Sequence, residues 1–479
     1  MNFNLLEEGF IPVLWSDGKV GRVGIRRALA EAGGIRQIAA SNPMDNVALL
    51  RFLLAVLYWC QGPPPSQGEK DKILAGAGFP PGWFGKLDQQ KDCFNLLGEG
   101  KRFYQDKTAK RCRPTTELLQ ELPTGNNFRH FRRSDNPRDG LCPACCALGL
   151  MRLPLFSVSG LPDLKAGING TPPIYVIPLG ETLLGTLCLN WTRRESLGSP
   201  TWECSQEHTA PDAAIPLLAG LTALARRVWL HEPTEPGPCS GCGSQQQSLI
   251  RTCEFQSAGA KQSKSWDDPH VVYVQKANST GDVERRSMTA PDLTKSSFRL
   301  DRPWATLMAA LLSSDKHRCV SGTTRLMVVG FATDQAKNID VWERICTLPP
   351  CASGQSSDPA GEAITIWNEQ GRKIPWRMKP KNSESDGSQF VSAVASIRPH
   401  VEARVSSNLA DLLSQPEKAW PKAVDEYRQI LPAVAGSLAP GFTVKATRRR
   451  GEIARALPDM TPKAHAEPKK PKTKKGATK

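Results

Sequence analysis

The stretch NPMDNVALLRFLLAVLYWC, residues 42–60, decides how the chain folds. Its apolar run, Val47 to Cys60, is 14 residues long and contains Arg51. A membrane-spanning helix needs about 20 apolar residues. The run therefore reads as a helix buried in a protein core, apolar nearly all round. Asn42 suits the N-cap, Pro43 the first turn, and Asp45 the positive end of the helix dipole. Toward the N-terminus, Val23 to Ala32 reads as a helix stopped by Gly33-Gly34. Before it, Phe3, Leu5, Ile11, Val13 and Trp15 around Gly9 and Gly18 read as short strands with turns.

Toward the C-terminus, GPPPSQGEK (62–70) is a loop. From about 100 to 250 the chain is rich in Gly, Pro, Arg and Asn, with short apolar runs at Ile174–Ile177 and Leu183–Leu189. This predicts short strands and long functional loops. Pro211 to Trp229 has helical spacing, His270–Val274 and Arg325–Phe331 read as strands, and Trp304–Leu312 as a helix behind Pro303. Residues 349–388 are polar and read as a linker, 389–458 as a helical bundle, and 459–479 as a disordered basic tail. The expected class is α+β: a large mixed α/β N-terminal domain, 1–348, with a structural zinc site, followed by a C-terminal helical bundle.

The 479 residues carry 62 Lys and Arg against 47 Asp and Glu, a net charge of +15. From Lys463 the tail holds seven Lys and one Glu, a charge of +6, which leaves +9 on the rest. A basic body at a pI near 9.3 points to a polyanionic partner, nucleic acid above all, although a charge excess also serves solubility. The opening MNFNLLEEGF lacks a basic n-region and a cleavable apolar stretch, so a cytoplasmic location is expected, with no membrane partner.

Fourteen cysteines are too sparse for a disulfide scaffold. Four stand as Cys142-Pro-Ala-Cys145 and Cys239-Ser-Gly-Cys242. One C-x-x-C turn puts two thiolates on one side of a metal, and two turns complete a tetrahedral S4 site that suits zinc. Gly241 and Gly243 permit the tight backbone of the second turn. With 93 residues between the pairs, the site would staple two distant segments, and four protein ligands leave no open position for water. The alternatives are four reduced thiols, or Cys146 or a His in place of one ligand. Burial as small hydrophobes is expected for the other ten.

Catalytic signatures are mostly absent: no phosphate-binding G-x-x-x-x-G-K-[ST], no H-E-x-x-H and no G-x-S-x-G. Asp267, Asp268 and His270 are the one set that could serve a metal-dependent nuclease; the ordinary reading is a surface turn. Asn126–Asn136, NNFRHFRRSDN, interleaves Phe128 and Phe131 with Arg129, Arg132 and Arg133, a pattern that suits phosphate contacts and base stacking or, equally, a solvated basic loop. Lys165 followed by Gly167-Ile168-Asn169-Gly170 offers a charge for a phosphate beside a backbone open to close approach, or a hairpin turn.

Several segments, in order, resemble the CasA-type large subunit of the type I-E CRISPR surveillance complex Cascade. They are FNLLEEGFIPV with DGKVGRVGIRRAL, GKRFYQ, PTTELLQELPTGNNFRHF, LCPACCALGL, KAGINGTPPIYV, PCSGCG and GFATDQA followed by Trp342-Glu343. The resemblance spans about residues 1–345. It implies a non-catalytic subunit that reads the short motif flanking a protospacer from the minor groove of double-stranded target DNA. It further implies guide RNA and other Cascade subunits as partners, help in opening the duplex, and recruitment of a helicase-nuclease. Carried over, a glycine loop falls on Gly167–Gly170, a glutamine wedge on Gln335 flanked by Asp334 and Ala336, and a lysine finger on Lys261 or Lys264. The family's wedge usually follows Asn; here Asp334 precedes it, and an acid near phosphates shifts motif preference. The remaining readings are a zinc-stabilised nucleic-acid-binding adaptor acting through its tail, and the nuclease already named.

Overall fold

The computed structural model describes residues 3–120, 139–158, 166–203, 214–258, 266–277, 283–290, 324–334 and 337–348, with positions 425 and 429. Backbone contacts divide the chain into two compact units, Met1–Lys295 with Ser314–Cys351, and Ser296–Ser313 with Ala352–Lys479. Every element below belongs to the first. The expected helix at 304–312, the linker, the helical bundle and the tail lie outside the described residues.

Strand β1 (Ile11–Trp15) turns at Gly18, whose φ is +87°, into β2 (Val20–Val23); after α1 (Ile25–Ala30), β3 (Ile35–Ile38) pairs antiparallel with β1 on its other side. Helix α2 (Pro43–Gln61) follows. Asn42 Oδ1 accepts from the Met44 amide at 2.9 Å, Pro43 occupies the first turn, and Gly62 at φ +79° ends the helix with its N–H on Tyr58 O. By length and composition α2 could cross a membrane, but 83% of its most apolar window is buried inside the protein. It is the axis of the core. Small helices α3 (Gln67–Leu74) and α4 (Gly85–Gln89) come next, then β4 (Cys112–Pro114).

Helix α5 (Pro143–Phe156) packs on α2 and is buried along its whole length. Between the two helices, Arg152 donates from Nε and Nη2 to the two carboxylate oxygens of Asp45, at 2.8 and 2.9 Å. Strand β5 (Tyr175–Leu179) and helix α6 (Leu183–Asn190) follow. The apolar run at Leu183–Leu189, expected among the short strands, is helical because the Thr182 hydroxyl caps it, accepting from the Gly185 amide at 3.2 Å. The helical spacing of Pro211–Trp229 also misleads: among its described residues, 214–229, the helix is confined to α7 (Leu217–Leu221). Thr222 closes α7 by turning its hydroxyl back to Leu218 O, and β6 (Arg226–Leu230) is drawn into a sheet with Val228 and Leu230 buried.

A tiny ribbon, β7 (Gly237–Pro238) with β8 (Gln245–Gln246), precedes β9 (Thr252–Ser257), which lies between β4 and β6. The ribbon β10 (Tyr273–Ala277) and β11 (Val283–Ser287) follows; its first strand starts at Tyr273, three residues later than expected. Last come β12 (Thr324–Asp334) and β13 (Lys337–Leu348), a long antiparallel hairpin, with β5 along the free edge of β12. Among the other described cysteines, Cys93, Cys146, Cys188 and Cys253 are buried as expected, and Cys112 is the exposed exception.

Breaking a buried ion pair such as Asp45–Arg152 by removing one partner costs about 3–5 kcal/mol, whereas replacing both by apolar residues of similar volume is often neutral. Asp45→Ala should therefore lower the urea midpoint strongly, and Asp45→Leu/Arg152→Met should recover most of it. Equal loss in both variants would refute the pair as the tie between α2 and α5.

Candidate nucleic-acid interface and cysteine centre

The two C-x-x-C turns meet. Cys142 is the N-cap of α5, its sulfur accepting from the Cys145 amide at 3.4 Å. Cys239 and Cys242 sit in the loop of the β7–β8 ribbon, where the Cys239 amide reaches Ser244 O at 3.0 Å and Gly243 turns at φ +73°. Backbone bonds join the two: Ser240 N–H to Gly140 O, and Leu141 and Ile250 exchanging both bonds at 2.9 Å. The Cys142 amide donates to Cys239 Sγ at 3.2 Å. Gly241 leaves room for this approach; a Cβ there would come within 3.0 Å of Cys145 Sγ.

The four sulfurs all lie within 4.8 Å of one another, with Cys142 and Cys242 at 3.9 Å. Zinc–thiolate bonds of about 2.3 Å place tetrahedral sulfurs about 3.8 Å apart, so the set fits a closed zinc site. Thiol contacts from Cys142 and Cys145 hold the Cys239 thiol well below its ordinary range, while those contacts and burial push Cys145 well above it. At Cys242 burial opposes ionisation, but hydrogen bonds from Ser244 and Arg22 help carry the thiol downward. Thiolate character inside a buried sulfur cluster is what a soft dication compensates. Cys146 is wholly buried and outside this group.

The purified chain should hold one zinc by elemental analysis. A strong chelator, or Cys142→Ser/Cys239→Ser, should strip it and lower Tm by on the order of 10 °C, the scale of a few kcal/mol in a chain this long. Full zinc content in the double variant would rule the site out.

The carried-over loop lies against α5. Gly167 donates to Ser157 O at 3.3 Å, and a Cβ on it would come within 2.5 Å of Pro154 O. The glycine is thus demanded by the helix end it packs on. Gly170, at φ +73°, donates back to Gly167 O at 2.9 Å, closing the turn. Ile168 leans on the core, half-buried. The Asn169 amide is turned inward, donating to Asp268 Oδ2 at 2.9 Å and to Tyr175 Oη at 3.3 Å.

Asp268 and His270 belong to this interior. Arg51 of α2 clasps Asp268 through Nη1–Oδ1 at 2.5 Å and Nη2–Oδ2 at 2.9 Å, with both side chains buried. Burial opposes the Asp268 charge, but Arg51 outweighs it and the carboxyl is held down to about 2. Arg51 can only donate, so His270 Nδ1, 2.9 Å from Nη1, is the acceptor and its Nε2–H faces Asn190 Oδ1 at 3.1 Å. Asp267 is separate: half-exposed, it pairs with Arg285 and lies 3.9 Å from Arg194. The nuclease trio is therefore corrected. Asp268 is spent on an arginine, and among the described residues only the four cysteines are grouped to hold a metal.

The β12–β13 hairpin carries Asp334 at the end of β12, paired with Lys337, so Gln335 and Ala336 fall between the paired ends. The β5 pairing stops at Val329↔Tyr175, five residues short of Asp334. At about 3.3 Å per residue, some 17 Å of the hairpin runs on as a two-stranded ribbon. Gly330 faces Trp342 across it, and a Cβ would come within 2.2 Å of the indole, which lies over the glycine. Gln335 and Ala336, Lys165, Lys261 and Lys264, and Phe128, Arg129, Phe131, Arg132 and Arg133 lie outside the described residues. The inward turn of Asn169 and the Arg51–Asp268 pair were not foreseen; Arg51 inside an apolar run was the signal for a buried acid.

The stability contribution of Asp268 should be complete above about pH 4, the unfolded carboxylate value, and be lost as pH falls through about 2. Asp268→Asn should flatten the acid limb of the stability–pH curve; an unchanged limb would exclude the pair as its source.

Comparison with known proteins bears on the family and the fold. The family model for CRISPR-associated protein Cse1 matches residues 4–428. A CasA/Cse1 protein of Thermus thermophilus is 31% identical over 219 residues, an alignment covering 42% of each chain, so the matched part spans less than half of that relative. Thermobifida fusca Cse1 superposes with a TM-score of 0.67 at 16% identity, covering 96% of this chain and 99% of that one. A chain of a structure described as a CRISPR RNA-guided surveillance complex gives 0.64 at 17% identity, over 96% and 99%. Because the family model takes in nearly the whole length, including the glycine loop, both cysteine pairs and the hairpin, the chain belongs to the Cse1 family of CRISPR-associated proteins.

Proposed function

We propose that this chain is the non-catalytic large subunit of a type I-E RNA-guided Cascade complex in the cytoplasm. In this reading it scans double-stranded target DNA for the short motif beside the protospacer. Guide RNA pairing then reads the rest, a division of labour common to RNA-guided recognition. Its neighbours are the guide RNA and other Cascade subunits, and it recruits the helicase-nuclease that destroys the target.

The observation that carries the reading is a shared frame. The glycine loop reaches Tyr175 through Asn169, and strand β12, whose last residue precedes Gln335 in sequence, is laid along the strand that Tyr175 opens. A glycine turn and a two-stranded ribbon are thus referenced to one residue. That suits a reader that feels the minor groove with one element and wedges a base step with the other. Minor-groove readout is degenerate, so tolerance of several flanking motifs is expected. A side chain inserted between base pairs pays a few kcal/mol of unstacking and opens the duplex for the guide. Lys165, Lys261, Lys264 and the basic loop around Phe128–Arg133 supply phosphate contacts and, with them, salt dependence. The nuclease alternative loses its metal ligands to Arg51.

In the reconstituted complex, Gln335→Ala should weaken binding to duplexes with the cognate flank by about tenfold or more, within the 1–3 kcal/mol range of one specific base-step contact. Lys261→Ala and Lys264→Ala, made separately, should identify the finger: the one that matters lowers the salt slope by about one phosphate contact. Flank preference that survives all three variants would sink the reading.

A further inference from the structure

We propose that Arg51, Asp268 and Asn169 form a positioning relay that holds the glycine loop in place from the core, with Asn169 the tether of the loop and not a reader of bases. The inference rests on the reading of that loop as a DNA contact, and it assigns roles to three residues within it.

The chemistry begins at α2. A guanidinium fixed on a helix buried on every side cannot move to meet a partner; the partner must come to it. Asp268 does so with both oxygens, and it also accepts from the His270 amide at 2.9 Å. The other side of Arg51 is filled: the guanidinium lies 5.2 Å over the Tyr175 ring, and His270 accepts from it. His270 is fixed in turn by Asn190, whose own NH2 donates to Pro178 O and Thr186 O. The carboxylate is thus anionic, immobile and directed.

Asn169 spends both hydrogens of its NH2 on this array, one on the Asp268 carboxylate and one on Tyr175 Oη. Tyr175 Oη passes its own hydrogen to Leu155 O. A hydrogen bond to a buried carboxylate is among the stronger neutral-donor contacts. Among the described residues the loop backbone is tied by two bonds, Gly167 N–H to Ser157 O and Gly170 N–H to Gly167 O. Gly167 packs on Pro154 O and Ile168 leans on the core, and Asn169 adds the one side-chain bond of the turn to a charged group fixed in the interior.

The same aspartate reaches the second candidate element. Its amide donates to Tyr273 Oη at 3.0 Å, and Tyr273 Oη donates to Trp266 O. Trp266 is seated on Gly220, where a Cβ would come within 2.1 Å of its ring. Lys261 and Lys264 stand just before Trp266 in sequence, so the relay also fixes the point from which that segment departs.

The test uses Asn169→Ala, which leaves the Arg51–Asp268 pair intact, and Asp268→Asn, which alters a side chain with no exposure to DNA. In the purified full chain, hydrogen–deuterium exchange of residues 166–171 should rise about tenfold in Asn169→Ala, the scale of one hydrogen bond to a charged group, while α2 stays protected. In the reconstituted complex, both variants should lose about tenfold in the affinity ratio between cognate-flank and wrong-flank duplexes. Binding to a target already opened beside the flank should stay within about twofold, whereas mere destabilisation would lower both alike. Unchanged exchange in Asn169→Ala overturns the relay, whatever becomes of Asp268→Asn. A loss of flank preference in Asn169→Ala but not in folded Asp268→Asn overturns it too, because Asn169 would then be reading DNA itself. Raised exchange with flank preference intact leaves the tether standing and overturns the DNA-reading role of the loop.

Discussion

A guanidinium at the centre of a helix buried on all sides has to be neutralised within the protein, and Arg51 sets that requirement for the whole unit. Isolated, it would carry a desolvation penalty of several kcal/mol. The solution draws Asp268 into the interior from a sequence distance of 217 residues. Once there, Asp268 fixes the chain on both sides of itself. Trp266 is held through Tyr273, His270 packs against Asn190, and Val271 forms a bridge to Tyr175 at the start of β5. The glycine loop, through Asn169, and the start of β5, through Tyr175 and Val271, are both joined to the surroundings of this pair.

The cysteine centre does a different job by the same logic. It too ties residues about a hundred apart, the start of α5 and the β7–β8 loop, yet its ligands are soft and its geometry is closed. An ion pair fixes direction through two parallel hydrogen bonds. A buried sulfur cluster fixes a point where backbone elements converge. The first holds the turn at Gly167–Gly170 in one orientation through Asn169; the second holds two loops together. The Asp45–Arg152 pair adds a third tie, between α2 and α5, so the helix that begins at the cysteines is locked onto the helix that carries Arg51.

What the sequence made legible follows the range of the forces involved. Capping is local, so Asn42, Pro43 and Asp45 announced the start of α2. Metal-ligand spacing is local within each pair, so Cys142/Cys145 and Cys239/Cys242 could be matched across 93 intervening residues. The strand at Arg325–Phe331 was legible from its β-branched and aromatic content. Pro211–Trp229 was not, because its apolar spacing fits a helix while the pairing of Arg226–Leu230 with Thr252–Ser257 is non-local. Asp268 was misjudged for the same reason. Two acids and a histidine in four residues read as a surface turn, or less often as a metal site, until a distant arginine is known to face them.

The glycines show how far such a misjudgement can travel. Gly167 looks like a residue kept small for a ligand, but the atom that excludes a side chain there is Pro154 O of the protein's own helix. Gly330 is kept small by Trp342 across the hairpin, where the indole covers the gap a glycine leaves in a strand. Both glycines therefore stiffen the elements on which they sit. A wedge delivers force to a base step only if the ribbon behind it does not yield, and a minor-groove probe discriminates only if its backbone is held to within a fraction of an ångström. Under the proposed function a reading head requires rigidity behind its contact surface, and Arg51, Trp342 and the end of α5 supply that from within the protein.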